Sequence, residues 1–277
     1  MTTDPRPHGV ATAYRWEMEK LAALLRVRLT AVACFLAPFG LVAALRLQDA
    51  VPADTLFGRW THFSGFATPM VVLVFTGQWA LPLLTCLVAG DIFASEDRYD
   101  TWKTILTRSC TRLGVFWGKA FAGMTFAVLV VVLLALGSLA AGVLVIGARP
   151  LVSLSGTLIP PGPAAGLVLE SWATAVPPTL GFTAMGLLFS VATRNGPAGI
   201  LGPSAVGLVM QLLSFVNGVD VLRHLLLTTP YGSWHGLMSA HPYYAPLLWG
   251  GLVSAVYLAG CLAAGYLLLR RRSFDEG

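Results

Sequence analysis

The sequence predicts an all-α polytopic membrane protein with six transmembrane helices, an N-terminal interfacial helix and a short cytoplasmic helix. Three observations support this prediction. Only 11% of the 277 residues are charged, whereas soluble domains carry about 25% charged residues. The mean hydropathy is +0.73, and apolar segments long enough to cross a bilayer occur six times. This composition excludes a water-soluble enzyme, a disordered protein and a nucleic-acid binder.

The first predicted element is an amphipathic helix over residues 12–28. Tyr14, Met18, Leu21 and Leu25 fall on one face at helical spacing, and the charged residues fall away from it. A helix of this kind lies in the membrane interface. The alternative is a plain cytoplasmic extension of the first span.

The six predicted spans together form one transmembrane domain over residues 1–277. Their approximate bounds are 29–45, 68–92, 113–146, 165–191, 198–216 and 246–269. Pro177 and Pro178 lack amide donors, so they predict a kink or break inside the fourth span. Residues 217–245 are predicted to form a wet loop on the outer side with aromatic anchors at the membrane surface, namely Tyr231, Trp234, Tyr243 and Tyr244.

The distribution of basic residues predicts the orientation of these spans. With six spans both termini lie on one side, which carries 14 of the Lys and Arg residues, and the other side carries four. Cytoplasmic loops collect Lys and Arg. We therefore predict a multi-pass protein of the cytoplasmic (inner) membrane with both termini in the cytoplasm. The formal net charge of +5 then reflects topology, and no nucleic-acid partner is predicted.

No enzyme motif is present in the sequence. The segment Gly114–Lys119 resembles a P-loop superficially, but it has three residues between the glycines where four are required, and Ala120 follows the lysine. Lys119 is instead predicted to extend to the membrane interface. We expect no catalytic residue, metal or cofactor on this chain. Asp91 lies at the exit of the second span, and Glu170 is the one other acid within a predicted span, which makes it a functional candidate unless it lies at headgroup depth.

The most distinctive local pattern lies between the second and third spans. Tyr99, Trp102, Ile105 and Leu106 form an apolar stripe on a short helix with charged residues around it. An exposed stripe with a central tryptophan is a plausible docking surface for a partner protein. The alternative is a helix packed on the bilayer or on its own protein.

The stretch from Glu96 to Lys119 resembles the loop between the second and third spans of ATP-binding-cassette (ABC) permeases of the type-2 exporter class. The shared features are a glutamate, a threonine, an apolar run, a closing arginine and a Gly-Lys pair, here Glu96, Thr101, Ile105–Thr107, Arg112 and Gly118–Lys119. The sequence departs from the family at Asp100, where glycine is common, and at Ser109–Cys110, where proline is often found. The six-span plan, the leading amphipathic helix and the absence of an ATPase motif extend the resemblance over nearly the whole chain.

This resemblance implies a permease without its own ATPase site. The family works as a dimer of permeases, made of identical or sister chains, bound to two ABC ATPase subunits that hold ATP and Mg²⁺. The short cytoplasmic helix then becomes a coupling helix, and the implied ATPase-coupling interface comprises Glu96, Tyr99, Thr101, Trp102, Leu106, Arg108 and Arg112.

The resemblance also implies that the second and fifth spans line the substrate path. Polar candidates on or beside this path are Gln78, Gln211 and Asn217, with Glu170 as a further candidate. Gly199, Pro203 and Gly207 form a small-residue face at four-residue spacing, which permits close helix approach. That face serves either a dimer contact or packing within the chain.

Two other functions compete with the ABC permease. A proton- or ion-driven secondary carrier requires buried acids and paired broken helices. An intramembrane enzyme acting on lipid requires His, Asp or Glu residues clustered at one depth. The sequence offers Glu170 alone for these purposes, so an exporter driven by a partner ATPase is the preferred prediction. The sequence does not identify the cargo.

Overall fold

The computed structural model describes residues 9–47, 57–107, 111–216, 218, 220–239 and 241–272. These residues form an α-helical bundle with six helical segments long and apolar enough to cross a membrane, which confirms the predicted fold class. The six segments are Leu25–Leu47, Ala67–Ala89, Arg112–Val145, Pro161–Thr193, Gly196–Ser214 and Ala245–Arg271. We call the end of the bundle that carries the two described chain ends the base, and the opposite end the far end.

The N-terminal amphipathic segment is shorter than predicted. Helix α1 covers Val10–Ala23, and helix α2 covers Leu25–Leu47. The backbone is extended at Leu24, with ψ of 123°, so a single helix over 12–28 is wrong. The apolar face of α1 packs on the chain's own core through Leu21, while Leu25 lies in α2 and is exposed.

The second span contains a π-turn. It consists of α3 (Ala67–Phe75), the π-turn Thr76–Ala80 and α4 (Leu81–Ala89). Pro82 has no amide N–H, so it cannot donate to the carbonyl of Gln78 four residues earlier. The amide of Leu81 instead donates to the carbonyl of Thr76, one residue further back than in an α-helix. Turns of this type are frequent at functional sites.

Two short helices connect the second and third spans at the base. They are α5 (Ala94–Arg98) and α6 (Trp102–Thr107). The third span, α7 (Arg112–Val145), has 34 residues and is therefore about 51 Å long. Near its far end, added β-carbons at Gly137 and Gly142 would overlap the backbone carbonyls of Phe35 and Gly65. Both glycines thus permit direct backbone contact with neighbouring segments.

The fourth span is broken where the prolines predict it. A short hairpin of β1 (Leu151–Val152) and β2 (Leu158–Ile159) at the far end precedes α8 (Pro161–Ala173). After two non-helical residues, α9 (Val176–Thr193) begins with Pro177 and Pro178 in its first turn. This position suits proline, because the first-turn amides have no helical acceptor. Helix α9 belongs to the most buried of the six spans.

The last third of the chain supplies the fifth and sixth spans and the segment between them. Helix α10 (Gly196–Ser214) is followed by α11 (Asp220–Leu225), a 3₁₀ segment (Thr229–Gly236) and α12 (Ala245–Arg271). The 3₁₀ segment folds into the far end of the bundle. Its aromatic residues Tyr231 and Trp234 are buried, whereas Tyr243 and Tyr244 are exposed. Tyr231 and Trp234 are therefore core residues and not membrane-surface anchors.

Candidate functional site

The base of the bundle contains a cluster of four charged residues, of which Glu17, Glu96 and Lys119 are buried. The Lys119 ammonium of α7 lies 2.8 Å from Glu96 Oε1 and 2.7 Å from Glu17 Oε2, and it also donates to the carbonyl of Ile92. Lys20 of α1 donates to the same Glu96 oxygen over 2.7 Å. Opposite charges compensate one another here, which burial requires. The cluster joins the α5–α6 loop to α1 and α7.

Glu96 is the centre of this cluster. The Thr101 hydroxyl donates to its Oε2 atom, and the Thr101 amide donates to its backbone carbonyl over 3.1 Å. Burial alone would raise the pKa of Glu96, but the charge of Lys119 and hydrogen bonds from Lys119, Lys20 and Thr101 lower it to about 2. Glu96 and Lys119 therefore face inward. The predicted extension of Lys119 to the membrane interface is wrong, because two buried carboxylates hold its ammonium.

A second ion cluster surrounds Asp91 at the end of the second span. Its carboxylate lies 2.5 Å from the guanidinium of Arg26 and 2.7 Å from that of Arg98. An added β-carbon at Gly196 would overlap this carboxylate, so glycine lets the first turn of α10 approach it. A negative charge at a helix N-terminus is favourable. This cluster joins α2, α5 and α10.

A third cluster ties the end of α12 to the loop helices. Arg272 pairs with Asp97, and its guanidinium carbon lies 5.6 Å from the ring centroid of Trp102. The Trp102 indole donates to Asp97 over 3.1 Å and stacks on Phe93. Arg112 at the start of α7 donates to the carbonyls of Arg270 and Arg272, over 3.0 and 2.9 Å.

The predicted apolar stripe is divided between the core and the surface. Trp102 is only 4% exposed, whereas Tyr99 is 70% exposed, and Ile105 packs partly buried against the core. The prediction that Trp102 presents its ring to a partner is therefore wrong, since Phe93 and Arg272 cover it. Leu106 lies in α6. Arg108 lies outside the described residues.

The turn between α5 and α6 requires an unusual backbone conformation. Asp100 has φ of +50°, the left-handed region that glycine enters most easily. Aspartate is among the few other residues that adopt it with some frequency. The turn therefore accepts either glycine or aspartate, which gives a physical reason for Asp100 at a position where glycine is common in the family that the sequence resembles.

The candidate path residues separate into two places. Gln78 in the π-turn and Gln211 in α10 line one cavity of about 560 Å³, which the 3₁₀ segment also borders. Glu170 in α8 lies instead beside two other cavities, between α8 and the segment that leads into α12. Asn217 lies outside the described residues.

The small-residue face of the fifth span packs inside the chain. Gly199, Pro203 and Gly207 are buried on one side of α10 together with Gln211. An added β-carbon at Gly199 would overlap the Gly90 carbonyl of the second span, and one at Gly207 would lie 3.0 Å from the Phe182 ring. Of the two alternatives for this face, packing within the chain is the one observed.

The described residues contain no group of three or more His, Cys, Asp or Glu side chains that could hold a metal ion. The segment Gly114–Lys119, with its partial likeness to a P-loop, lies within the continuous helix α7. A phosphate-binding loop requires non-helical backbone whose amides point at the phosphates.

A family model described as ABC-2 family transporter protein matches residues 15–190. The chain belongs to this family. The match begins in α1 and ends in α9, so it includes the α5–α6 loop and all of the acidic residues of the three clusters. The ABC-2 chain is accordingly a multi-pass membrane permease. No curated protein matches it significantly.

Sequence reasoning missed several residues that organise the base of this ABC-2 permease. They are Glu17, Lys20, Arg26, Asp91, Asp97, Arg98 and Arg272. The sequence contains one indication of the first cluster, namely the position of Lys119. Lys119 lies two turns inside a long apolar helix, and a lysine at such a position requires a carboxylate partner.

Proposed function

We propose that this ABC-2 permease is the transport subunit of an ATP-driven exporter whose ATP is hydrolysed by a separate ABC ATPase. The observation that carries the proposal is the buried Glu96–Lys119 pair, which fixes the α5–α6 loop to the third span. ATP and Mg²⁺ belong to the ATPase in this assembly. The full complex contains two permeases, identical or sister chains, and two ATPase subunits.

The ion clusters supply a route from the loop helices to the spans. The loop is attached to α1 and α7 through Glu96, to α2 and α10 through Asp91, and to α12 through Asp97. Displacement of the loop therefore moves several spans as one unit. For ATP to drive transport, the ATPase must bind one arrangement of these spans more tightly than the other.

The docking face consists of the exposed parts of α1 and the loop. Tyr99, Lys103 and Thr104 are exposed, and so is Trp16 on α1. A cavity of about 340 Å³ separates α1 from α6, with Trp16 and Thr104 among its lining residues. Aromatic side chains of this kind are frequent anchors of protein interfaces. Glu96, Thr101 and Trp102 act beneath this face by holding it in place.

The substrate path lies along the second and fifth spans at the cavity that contains Gln78 and Gln211. The π-turn gives the second span a local point of adjustment next to this cavity. The second permease copy packs on the exposed apolar side chains of these spans, which include Phe75, Trp79, Leu201, Leu208 and Leu212. In this arrangement the path runs between the two copies.

The base faces the cytoplasm in the proposed assembly. The loop helices and both described chain ends lie there with most of the Lys and Arg residues, and cytoplasmic loops collect such residues. ATP is available on this side. The proposed location is the inner membrane, with both termini in the cytoplasm.

A secondary carrier receives less support from the structure. Glu170 is the only acidic residue within the six described spans, and it lies in α8 near the far end. A proton or ion pathway would need acidic groups along the depth of the membrane.

Co-expression with ABC ATPases encoded in the same genome, starting with any in a neighbouring reading frame, tests the proposal. We expect the two chains to co-purify and the ATPase activity of the complex to depend on Tyr99, because an exposed aromatic anchor contributes about 2 kcal/mol to an interface. Tyr99→Ala should therefore weaken the complex about 30-fold. Affinity between the purified chain in nanodiscs and the ATPase gives the measurement.

The matched control is Tyr243→Ala, since Tyr243 is similarly exposed, at 63%, but lies at the far end. This control should leave the affinity unchanged. Equal binding of the ATPase by wild type and Tyr99→Ala would contradict the docking face. Failure of every neighbouring or genome-encoded ABC ATPase to bind would contradict the proposed function itself.

A further inference from the structure

Two cavities at the far end meet at one carboxylate. The first, of about 420 Å³, lies between α8, the 3₁₀ segment and the start of α12, and its lining includes Leu247 and Gly251. The second, of about 530 Å³, lies between α8 and the β1–β2 hairpin. Glu170 and Leu237 line both cavities. Cavities of this size accommodate small organic ligands.

Glu170 is the only charged residue among the described residues that line these two cavities. Within the described part of the chain its carboxylate has no ion-pair partner. The acids at the base behave differently, because Glu17, Glu96, Asp91 and Asp97 are each paired with a cation. The far-end cavity therefore presents an uncompensated negative charge beside an apolar lining.

The break between α8 and α9 leaves backbone carbonyls without helical donors in residues that line the first cavity. Pro177 and Pro178 have no amide N–H, so the carbonyls of Ala173 and Thr174 lack their helical donors four residues later. Ala173, Thr174 and Pro177 all line this cavity. A cation with N–H groups can bind both a carboxylate and such carbonyls, and hydrogen bonds to charged groups are the stronger kind.

The position of Glu170 along the fourth span sets its distance from the base. Thr193 ends the fourth span at the base, 23 residues after Glu170, which corresponds to about 35 Å measured along α8 and α9 and the break between them. The hydrocarbon core of a bilayer is about 30 Å thick. If the base end of this span lies at one membrane surface, the carboxylate lies near the opposite surface, with Leu247 and the apolar lining of the first cavity beside it.

We propose that the Glu170 cavity binds a hydrophobic ammonium compound, with its charged nitrogen on the carboxylate and its apolar body between α8 and α12. Tyr244 lines the same cavity, and aromatic rings attract cations. The site lies apart from the Gln78–Gln211 cavity. It is a binding site of the permease chain itself, so binding requires neither ATP nor the ATPase.

Binding of radiolabelled dodecylamine to the full chain in phosphatidylcholine nanodiscs tests this site. Empty nanodiscs correct for partition into lipid, and dodecanol is the neutral ligand of matched length. We expect saturable binding of the amine and none of the alcohol. Glu170→Gln should weaken amine binding about 10- to 100-fold, since it removes the charge and keeps the shape.

A second variant tests the cavity without touching the charge. Gly251 lines the first cavity, and an added β-carbon there would meet no atom within 4 Å. Gly251→Phe should therefore fill the cavity and abolish binding. Its control is Gly260→Phe, which changes another α12 glycine with equally open surroundings, outside the cavity. Glu19→Gln, an exposed acid on α1, controls for loss of charge.

A competition experiment distinguishes two possible sources of the ammonium group, a lipid headgroup and a free amphiphile. If phosphatidylethanolamine in the nanodiscs competes with dodecylamine in wild type but not in Glu170→Gln, a lipid headgroup is the natural occupant. If it does not compete, a free amphiphile is the occupant. Unchanged amine binding by both Glu170→Gln and Gly251→Phe, or equal binding of dodecanol, would overturn the site. These results leave the proposed ATP-driven export untouched, because no ATPase is present.

Discussion

Glu96 receives three side-chain donors, from Lys20, Lys119 and Thr101, on a single buried carboxylate. The sequence identifies Glu96 as a position of interest, and the structure shows that it acts inside the protein. Its partners could not be deduced from the sequence, because Lys20 lies 76 residues away in the chain and Lys119 lies 23 away. Only the packing of α1 on α7 brings these charges together.

Glu96→Gln should destabilise the permease by about 3 kcal/mol at neutral pH, since it leaves the buried Lys119 ammonium with Glu17 as its one remaining carboxylate partner among the described residues. The pKa of Glu96 is about 2 in the folded protein against 4.5 ordinarily. A lowered pKa means that the carboxylate stabilises the fold above about pH 4.5, and that this contribution is lost as the pH falls towards about 2.

The difference in stability between wild type and Glu96→Gln should therefore be full at pH 7 and shrink below about pH 4.5. Unfolding followed by tryptophan fluorescence in a mild detergent measures it. Glu19→Gln, at an exposed position of the same charge, should change little at any pH. A difference that stays constant down to about pH 2 would show that folding does not lower the pKa of Glu96.

At the scale of elements, hydropathy predicts the spans well and the faces of short helices poorly. The third and sixth spans begin and end within two residues of their predicted limits, because about 20 apolar residues leave little freedom in placing a span. The break at Leu24 has no comparable signal. Periodicity likewise finds the stripe containing Trp102 but does not show whether the chain itself or a partner covers it.

The contact between α10 and the second span yields a prediction about one pair of glycines. Gly199→Ala should lower stability by about 2 kcal/mol or more, because its β-carbon would overlap the Gly90 carbonyl and the helices must separate. Gly260→Ala is the matched change at an open position of α12. It should be neutral or slightly stabilising, since alanine favours helix more than glycine does.

Thermal unfolding of the two variants in the same detergent decides this prediction. Equal midpoints for Gly199→Ala and Gly260→Ala would mean that α10 does not rest directly on the second span. A cross-linking experiment between cysteines near Gly90 and Gly199 then shows whether the helices are apart in the membrane.

At the scale of the whole molecule, the base and the far end are chemically different. The base holds its acids in ion clusters, whereas the far end carries the β1–β2 hairpin, the 3₁₀ segment and the unpaired Glu170. Charge counting along the sequence already separates these two ends. The cavities could not be predicted, because they arise where the broken fourth span, the 3₁₀ segment and α12 meet.

The proposed orientation predicts the accessibility of single cysteines. Ser155→Cys in the exposed tip of the hairpin should react with a membrane-impermeant maleimide in intact cells. Tyr99→Cys, in a Cys110→Ser background, should react only after the membrane is permeabilised. Labelling in the reverse order would mean that the base faces outward, which would exclude an ATPase at that face.

The backbone contacts of Gly137 and Gly142 hold helix α7 closely at one end, so a tilt of this helix would pivot there. Both residues lie in the last three turns of the helix, where close contact with neighbouring backbone restricts sliding. The Lys119 pairs lie near the opposite end. A tilt of about 5° around this pivot would move the end of α7 that carries Lys119 by roughly 3 Å. A displacement of this size is enough to exchange one set of side-chain neighbours for another. A small rotation imposed at the docking face would thus become a change of packing inside the bundle.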